Sequence, residues 1–217
     1  MQIFEYHPPS VPWLDIRYVD RDIIIINKPS GLLSNPGRGA HTHDCALTRL
    51  QTHFGDAILV HRLDCATSGI MVFARNKKAE SNLKTQFQDR LNEKVYIAEV
   101  SGIVTKDSGV IDVPIGADKA RPPYQHVCDD GKPALTHYKV LSRHPKMTLV
   151  ELTPETGRTH QLRVHMLSLG HPILGDDFYG DAEVIAARSR LSLHAQQLTI
   201  THPYSNKRLC FKSQHPF

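Results

Sequence analysis

The chain has 217 residues, with 26 Lys and Arg against 22 Asp and Glu, a net charge of +4, and 40% hydrophobic residues. That is the composition of one globular domain rather than a disordered chain or a wholly basic histone-like binder, and the mild positive charge suits a protein that meets a polyanion with one face. No apolar stretch approaches the roughly 20 residues of a membrane-spanning helix, and the opening MQIFEYHPPSVPW lacks the basic and apolar regions of a signal peptide.

Residues 1–13 are rich in proline and aromatic residues and are expected to lie extended over the surface. Residues 23–27 form a continuous apolar run that stops at Lys28-Pro29-Ser30-Gly31, the pattern of a buried strand ending in a turn. A Gly/Pro/His loop over 34–43 leads to a short helix over 44–53, with Asp44 as its N-cap. Residues 69–75 read as a second apolar strand, and 77–91 as an amphipathic helix that buries Ala79, Leu83 and Phe87 at i, i+4, i+8.

The second half is mostly strand-like, over 94–101, 109–114, 134–141 and 147–153, and the last two are joined by the five residues 142–146 as a hairpin. A helix follows over 159–169, with Leu162, Met166 and Leu169 as its buried stripe and Gly170 at C′. Two further strands are expected over 193–201 and 208–212. Strands outnumber helices without regular alternation, which predicts an α+β fold with a large mixed, mainly antiparallel β-sheet and flanking helices. Gly37-Arg38-Gly39 lacks the third glycine of a dinucleotide fingerprint and precedes no immediate helix.

Three stretches carry side chains suited to chemistry. His61-Arg62-Leu63-Asp64, followed by Ala66-Thr67-Ser68-Gly69, precedes a buried strand. This turn either presents Asp64 as a catalytic carboxylate at the lip of a sheet or uses Asp64 and Thr67 to satisfy backbone donors. On the helix from 159, His160 and Arg163 share a face that is too polar for a core; it holds phosphates or a carboxylate, or is an exposed basic face. Tyr96 alternates with Val95 and Ile97 along a strand, as a core residue or as a base-stacking platform.

Two other patterns weigh less. His41-Thr42-His43-Asp44-Cys45 offers metal-ligand types, but no second segment has matching spacing, so no metal is expected. Ser68 leads into a strand, whereas a nucleophile elbow runs from strand to helix. The four cysteines Cys45, Cys65, Cys128 and Cys210 form no CxxC pair, which points to a reducing, cytoplasmic setting.

HRLDCATSG (61–69), KVYIA (94–98) and PETGRTHQLRVHMLSLGHPILGD (154–176) resemble the signature segments of the RluA-type pseudouridine synthases, and NKPSGLLSNPGR (27–38) resembles the opening of their catalytic domain. The likeness spans nearly the whole chain, so 1–217 is expected to be one catalytic domain without the N-terminal S4-type module that many relatives carry. The resemblance implies a large mixed sheet crossed by a catalytic cleft, with no metal and no organic cofactor. It assigns Asp64 as the catalytic aspartate, Tyr96 as the ring that stacks on the target uracil, and Arg163 as the basic partner of the aspartate. Arg62 matches an arginine that helps flip bases, and Leu162 is the apolar neighbour of Arg163. His61, Thr67 and His160, in the same motifs, are expected beside the substrate.

Uridine isomerisation breaks the N-glycosidic bond, turns the uracil in place and joins C5 to C1′. An opposite charge within about 4–6 Å favours an ionised carboxylate, which is the service the resemblance asks of Arg163. The target must leave its stack, at least cost in a loop, so the implied partners are structured RNA, namely rRNA and tRNA stem-loops (a 23S rRNA hairpin and the tRNA anticodon stem-loop). Arg38, Lys77, Lys84, Lys119, Arg121 and Arg158 are candidate phosphate contacts. A cytoplasmic monomer with no membrane contact is expected. The rival readings are a tRNA-only synthase, a non-catalytic RNA-binding module, and a glycosidase-like hydrolase that couples Asp64 with Asp176 or Asp177.

Overall fold

The structure is a computed structural model and describes residues 5–217. In chain order the elements are β1 (Ile16–Val19), β2 (Ile23–Lys28), a 3₁₀ turn (Ala40–Thr42), α1 (Ala46–Phe54), β3 (Ile58–Leu59), β4 (Ser68–Ala74) and α2 (Lys77–Gln88). They continue with β5 (Glu93–Ser101), β6 (Ser108–Asp112), β7 (Ile115–Ala117), β8 (Gln125–Val127), β9 (Leu135–His144) and β10 (Met147–Pro154). The last are α3 (Gln161–Ser168), α4 (Ala182–Ala186), β11 (Leu193–Thr201) and β12 (Arg208–Lys212). This is the expected α+β class, and no helix among the described residues is long and apolar enough to cross a membrane. The chain divides into two compact units, 1–93 with 195–214, and 94–194 with 215–217.

In the first unit the strand order is β1-β2-β4-β11, with β3 on β4 and β12 on β11. The ladders β1/β2, β2/β4, β3/β4 and β11/β12 are antiparallel. Ile23–Ile26 and Ile70–Ala74 are buried on both faces, which is why these strands read as unbroken apolar runs. Ala79 and Leu83 of α2 join Ile23, Ile25, Ile70 and Val72 in one core cluster, with Phe87 at its edge. Asn76 caps α2 by accepting from Ala79 N–H at 2.9 Å. The helix ends at Gln88, three residues short of the prediction, because Arg90 turns left-handed at φ 58° and Leu91 faces solvent.

Asp44 is not the N-cap of α1. Cys45 takes that position, and the Asp44 carboxylate instead grips Arg49, at 2.6 Å to Nε and 2.8 Å to Nη2. Part of the predicted N-terminal extension, 1–4, lies outside the described residues. Residues 5–15 carry no regular element and are tied down by the Tyr6 hydroxyl, which donates to Asp44 O and accepts from Leu33 N–H.

In the second unit the order is β5-β10-β9-β6, antiparallel throughout, and β7 pairs with β8 in a separate hairpin. The β9/β10 hairpin turns more tightly than predicted, since His144 pairs with Met147 and leaves only 145–146 in the loop. α3 is buried over Gln161–Met166, while Leu169 just beyond it is 38% exposed. The predicted apolar stripe therefore loses Leu169, and the supposedly external face of His160 and Arg163 lies inside the protein.

Candidate active site

The first unit holds His61, Arg62, Asp64 and Thr67. Pairing of Lys28 with Gly69 places the end of β2 beside the start of β4, so the segments 28–34 and 61–67 meet at one end of the sheet. Gly69 has φ +122°, and a Cβ there would strike the backbone of Ala195, so only glycine fits this strand entry.

Asp64, half-buried, sits on a turn whose carbonyls are all engaged. Ser34 Oγ donates to Leu63 O at 2.7 Å, Thr67 N–H to Asp64 O at 3.1 Å, and Ser30 Oγ to Ala66 O at 2.6 Å. Cys65 O accepts from Gly31 N–H at 2.9 Å and from the Lys28 ammonium at 3.1 Å. Lys28 is fully buried, and its ammonium also donates to Pro29 O at 2.9 Å and Leu32 O at 2.6 Å. A buried cation is tolerated only where such acceptors replace water. The side chains of 28–34 thus fix the backbone on both sides of Asp64.

The neighbours of Asp64 have different tasks. Arg62 is exposed. The His61 ring stacks on Phe87 at 4.4 Å between centroids and its Nε2 accepts from Val72 N–H. Thr67 is buried and closes the turn through its N–H.

The second unit holds Tyr96, His160, Leu162 and Arg163. Tyr96 is half-buried on β5, opposite Leu152 of β10. Leu162 is buried. Within this unit the Arg163 guanidinium meets Asp176 side-on, Nε to Oδ2 at 2.8 Å and Nη2 to Oδ1 at 2.6 Å. It also lies over the rings of Phe178 and Tyr179, at 4.8 and 5.2 Å from their centroids. Asp176 Oδ1 additionally accepts from the N–H groups of Phe178 and Tyr179.

His160, at φ 54°, begins α3, and its Nδ1 lies 2.7 Å from the Tyr179 hydroxyl. That hydroxyl also accepts from Gln125 N–H at 2.9 Å, so it ties His160 to the β8 backbone. Gln161 donates to Leu135 O and Thr136 Oγ1 and accepts from Thr156 Oγ1 and Arg158 N–H. His165 reaches Thr136 Oγ1 and Val113 O, and burial pushes its pKa down from 6.5. Every polar side chain on the buried part of α3 is therefore hydrogen-bonded, which is what lets so polar a helix pack inside.

Asp176 is fully buried and bound on both oxygens, which leaves it no freedom to act as the second carboxyl of a hydrolase; that rival reading fails for Asp176. Among the described residues one group has metal-ligand chemistry: Asp20, Asp22 and His202 place one ligand atom each within 4.8 Å of the others. His202 spends Nε2 on Asp20 and Nδ1 on Tyr204 and Ser205 N–H, so the group is closed by its own hydrogen bonds. The supporting roles of Lys28, Ser30, Ser34, Asp176 and Tyr179 are not legible in the sequence. The one available signal was a lysine directly following the apolar run of β2, a charged residue where a buried strand ends.

A family model described as RNA pseudouridylate synthase matches residues 22–168. The chain is 51% identical over 212 residues to the dual-specificity RNA pseudouridine synthase RluA of Vibrio parahaemolyticus, covering 95% of this chain and 85% of that one. It is 49% identical over 219 residues to the same-named protein of Escherichia coli K12, covering all of both. Among solved structures, human RNA pseudouridylate synthase domain containing 1 superposes with a TM-score of 0.81 at 31% identity, over 97% of this chain and 87% of the other.

Proposed function

The chain belongs to the RNA pseudouridylate synthase family, whose reaction isomerises uridine in RNA, and we propose that Asp64 is its catalytic carboxylate, with Tyr96 stacking on the target uracil and Arg163 as the basic residue acting with the carboxylate. The observation that carries this reading is the Asp64 turn, in which each backbone carbonyl from Leu63 to Ala66 is fixed by a named donor. Catalysis by one carboxylate depends on holding it in place before the substrate arrives, and a turn pinned on both sides does that.

Three tasks follow from the chemistry. Asp64 breaks the link between uracil and ribose. A stacking face worth about 1–3 kcal/mol per base retains the detached uracil, a role that the ring of Tyr96 fits. Arg62, exposed two residues before Asp64, occupies the space left by the flipped nucleotide. His61, Thr67, Leu162 and His160 shape the surroundings of the substrate.

The proposed substrates are a hairpin of 23S rRNA and the anticodon stem-loop of tRNA, supported by the dual specificity in the names of the relatives. We read the protein as a cytoplasmic monomer that works without metal or organic cofactor; the four cysteines, none in a disulfide among the described residues, fit that compartment.

The test is Asp64→Asn, assayed by carbodiimide mapping of pseudouridine in both RNAs together with product mass. The wild type changes uridine to pseudouridine at constant RNA mass, and the variant binds RNA but makes no product. Conversion by the variant at the wild-type rate removes Asp64 from the chemistry. Modification of tRNA alone narrows the substrate range.

A further inference from the structure

We propose that the cleft between the β7–β8 hairpin and the segment 157–159 in the second unit is a binding site for the phosphate backbone of RNA. The inference rests on the reading of the protein as an RNA-modifying enzyme and adds a place where the RNA backbone is held.

The cleft has a volume of about 730 Å³, and Lys119, Lys132 and Arg158 stand on three of its lining segments. Each is fixed through its backbone or its neighbours. Lys132 exchanges two backbone hydrogen bonds with Ile115, at 3.0 and 2.9 Å, and Gly131 beside it has no room for a Cβ against the Ile115 backbone. Lys119 lies in a turn where Asp118 accepts from Ala120 and Arg121 N–H and binds the Arg121 guanidinium at 2.8 Å. Arg158 donates its backbone N–H to Gln161 Oε1 and its Nε to Pro133 O.

The cations differ in how they are employed. Lys77 and Lys84 are paired with Glu80, and Arg121 with Asp118. Among the described residues, no carboxylate lies within ion-pair distance of Lys119 or Lys132, and Arg158 meets only a neutral carbonyl. Asp130 is the one acid in the lining. The lining holds no Phe, Tyr or Trp on which a base could stack, so the cleft recognises phosphate rather than nucleobase. Cations spread over three segments fit a chain of phosphates better than a single small anion, which calls for convergent donors on one point.

The test compares the full-length wild type with the exposed-site double variant K119Q/K132Q, using a fluorescein-labelled anticodon stem-loop RNA over a range of salt. The expected result is a loss of affinity of about tenfold and a salt slope lower by about 2, one per lysine. Affinity and slope equal to wild type overturn the proposal. In a parallel arm, inorganic phosphate at millimolar concentration is added to the wild type. If it raises the melting temperature of wild type but not of the variant while RNA binding is untouched, the cleft is a small-anion site and the proposal fails. RNA binding is read without turnover, so a protein that binds in this way yet forms no pseudouridine overturns the functional reading and not the site.

Discussion

Arg163 and Asp176 form a two-point ion pair in which both side chains are almost entirely buried, 3% and 1% exposed. Removing one partner of a buried pair typically costs about 3–5 kcal/mol. Asp176→Asn is therefore expected to lower unfolding free energy by about that amount, read by denaturant titration with circular dichroism. The double variant Asp176→Asn/Arg163→Met should lose less than the sum of the single changes. Strict additivity would mean that the two groups are held independently.

Ser34 Oγ both donates to Leu63 O and accepts from Leu63 N–H at 3.0 Å. Ser34→Ala leaves these two backbone groups unsatisfied, at about 1–3 kcal/mol. The turn carrying Asp64 loosens, so kcat should fall several-fold while the dissociation constant for RNA stays near wild type. A variant with normal kcat would show that the turn holds its shape without Ser34.

Tyr96 offers an aromatic face on β5. Tyr96→Phe keeps the face and Tyr96→Ala deletes it, so the alanine variant should be weaker in transition-state binding by about 1–3 kcal/mol and the phenylalanine variant much less so. The measurement is single-turnover kinetics on one stem-loop RNA. Equal loss in both variants would transfer the role from the ring to the hydroxyl.

Burial holds the pKa of His165 below 6.5 in the folded protein. The unfolded chain binds its proton near 6.5 and the folded chain only at lower pH. Between those values the unfolded state carries more protons, so stability rises with pH and is lost as pH falls below about 6.5, by at most about 1.4 kcal/mol per unit. Thermal melts from pH 7.5 to 5 should show this slope, and His165→Asn, though less stable at pH 7.5, should flatten it. A slope unchanged in the variant would assign the dependence to other groups.

The elements that could be read from the residues are those whose burial is uniform or strictly periodic. Ile23–Ile26 gives β2 away because both faces are covered, and Ala79, Leu83 and Phe87 give away α2. β1, with all four residues exposed, and the three-residue strands β7 and β8 carry no such pattern. α3 misleads for a different reason: its polar side chains are buried because partners distant in sequence, Thr136, Leu135, Val113 and Asp176, satisfy them. The motif residues themselves, Asp64, Tyr96 and Arg163, were nameable from sequence, whereas the donors around the Asp64 turn become visible only once β2 and β4 are in register. Asp44 departs from the capping role its position suggests because a guanidinium five residues later outcompetes backbone N–H groups for its carboxylate.

The sealed ammonium of Lys28 has a chemical consequence of its own. Acylating reagents modify amines that water can reach, so in the native protein Lys28 should stay unmodified while Lys119 and Lys132 react at once. The delay before its eventual labelling, followed by mass spectrometry, becomes a clock for transient opening of the end of β2, and thus for how often the neighbouring turn comes apart.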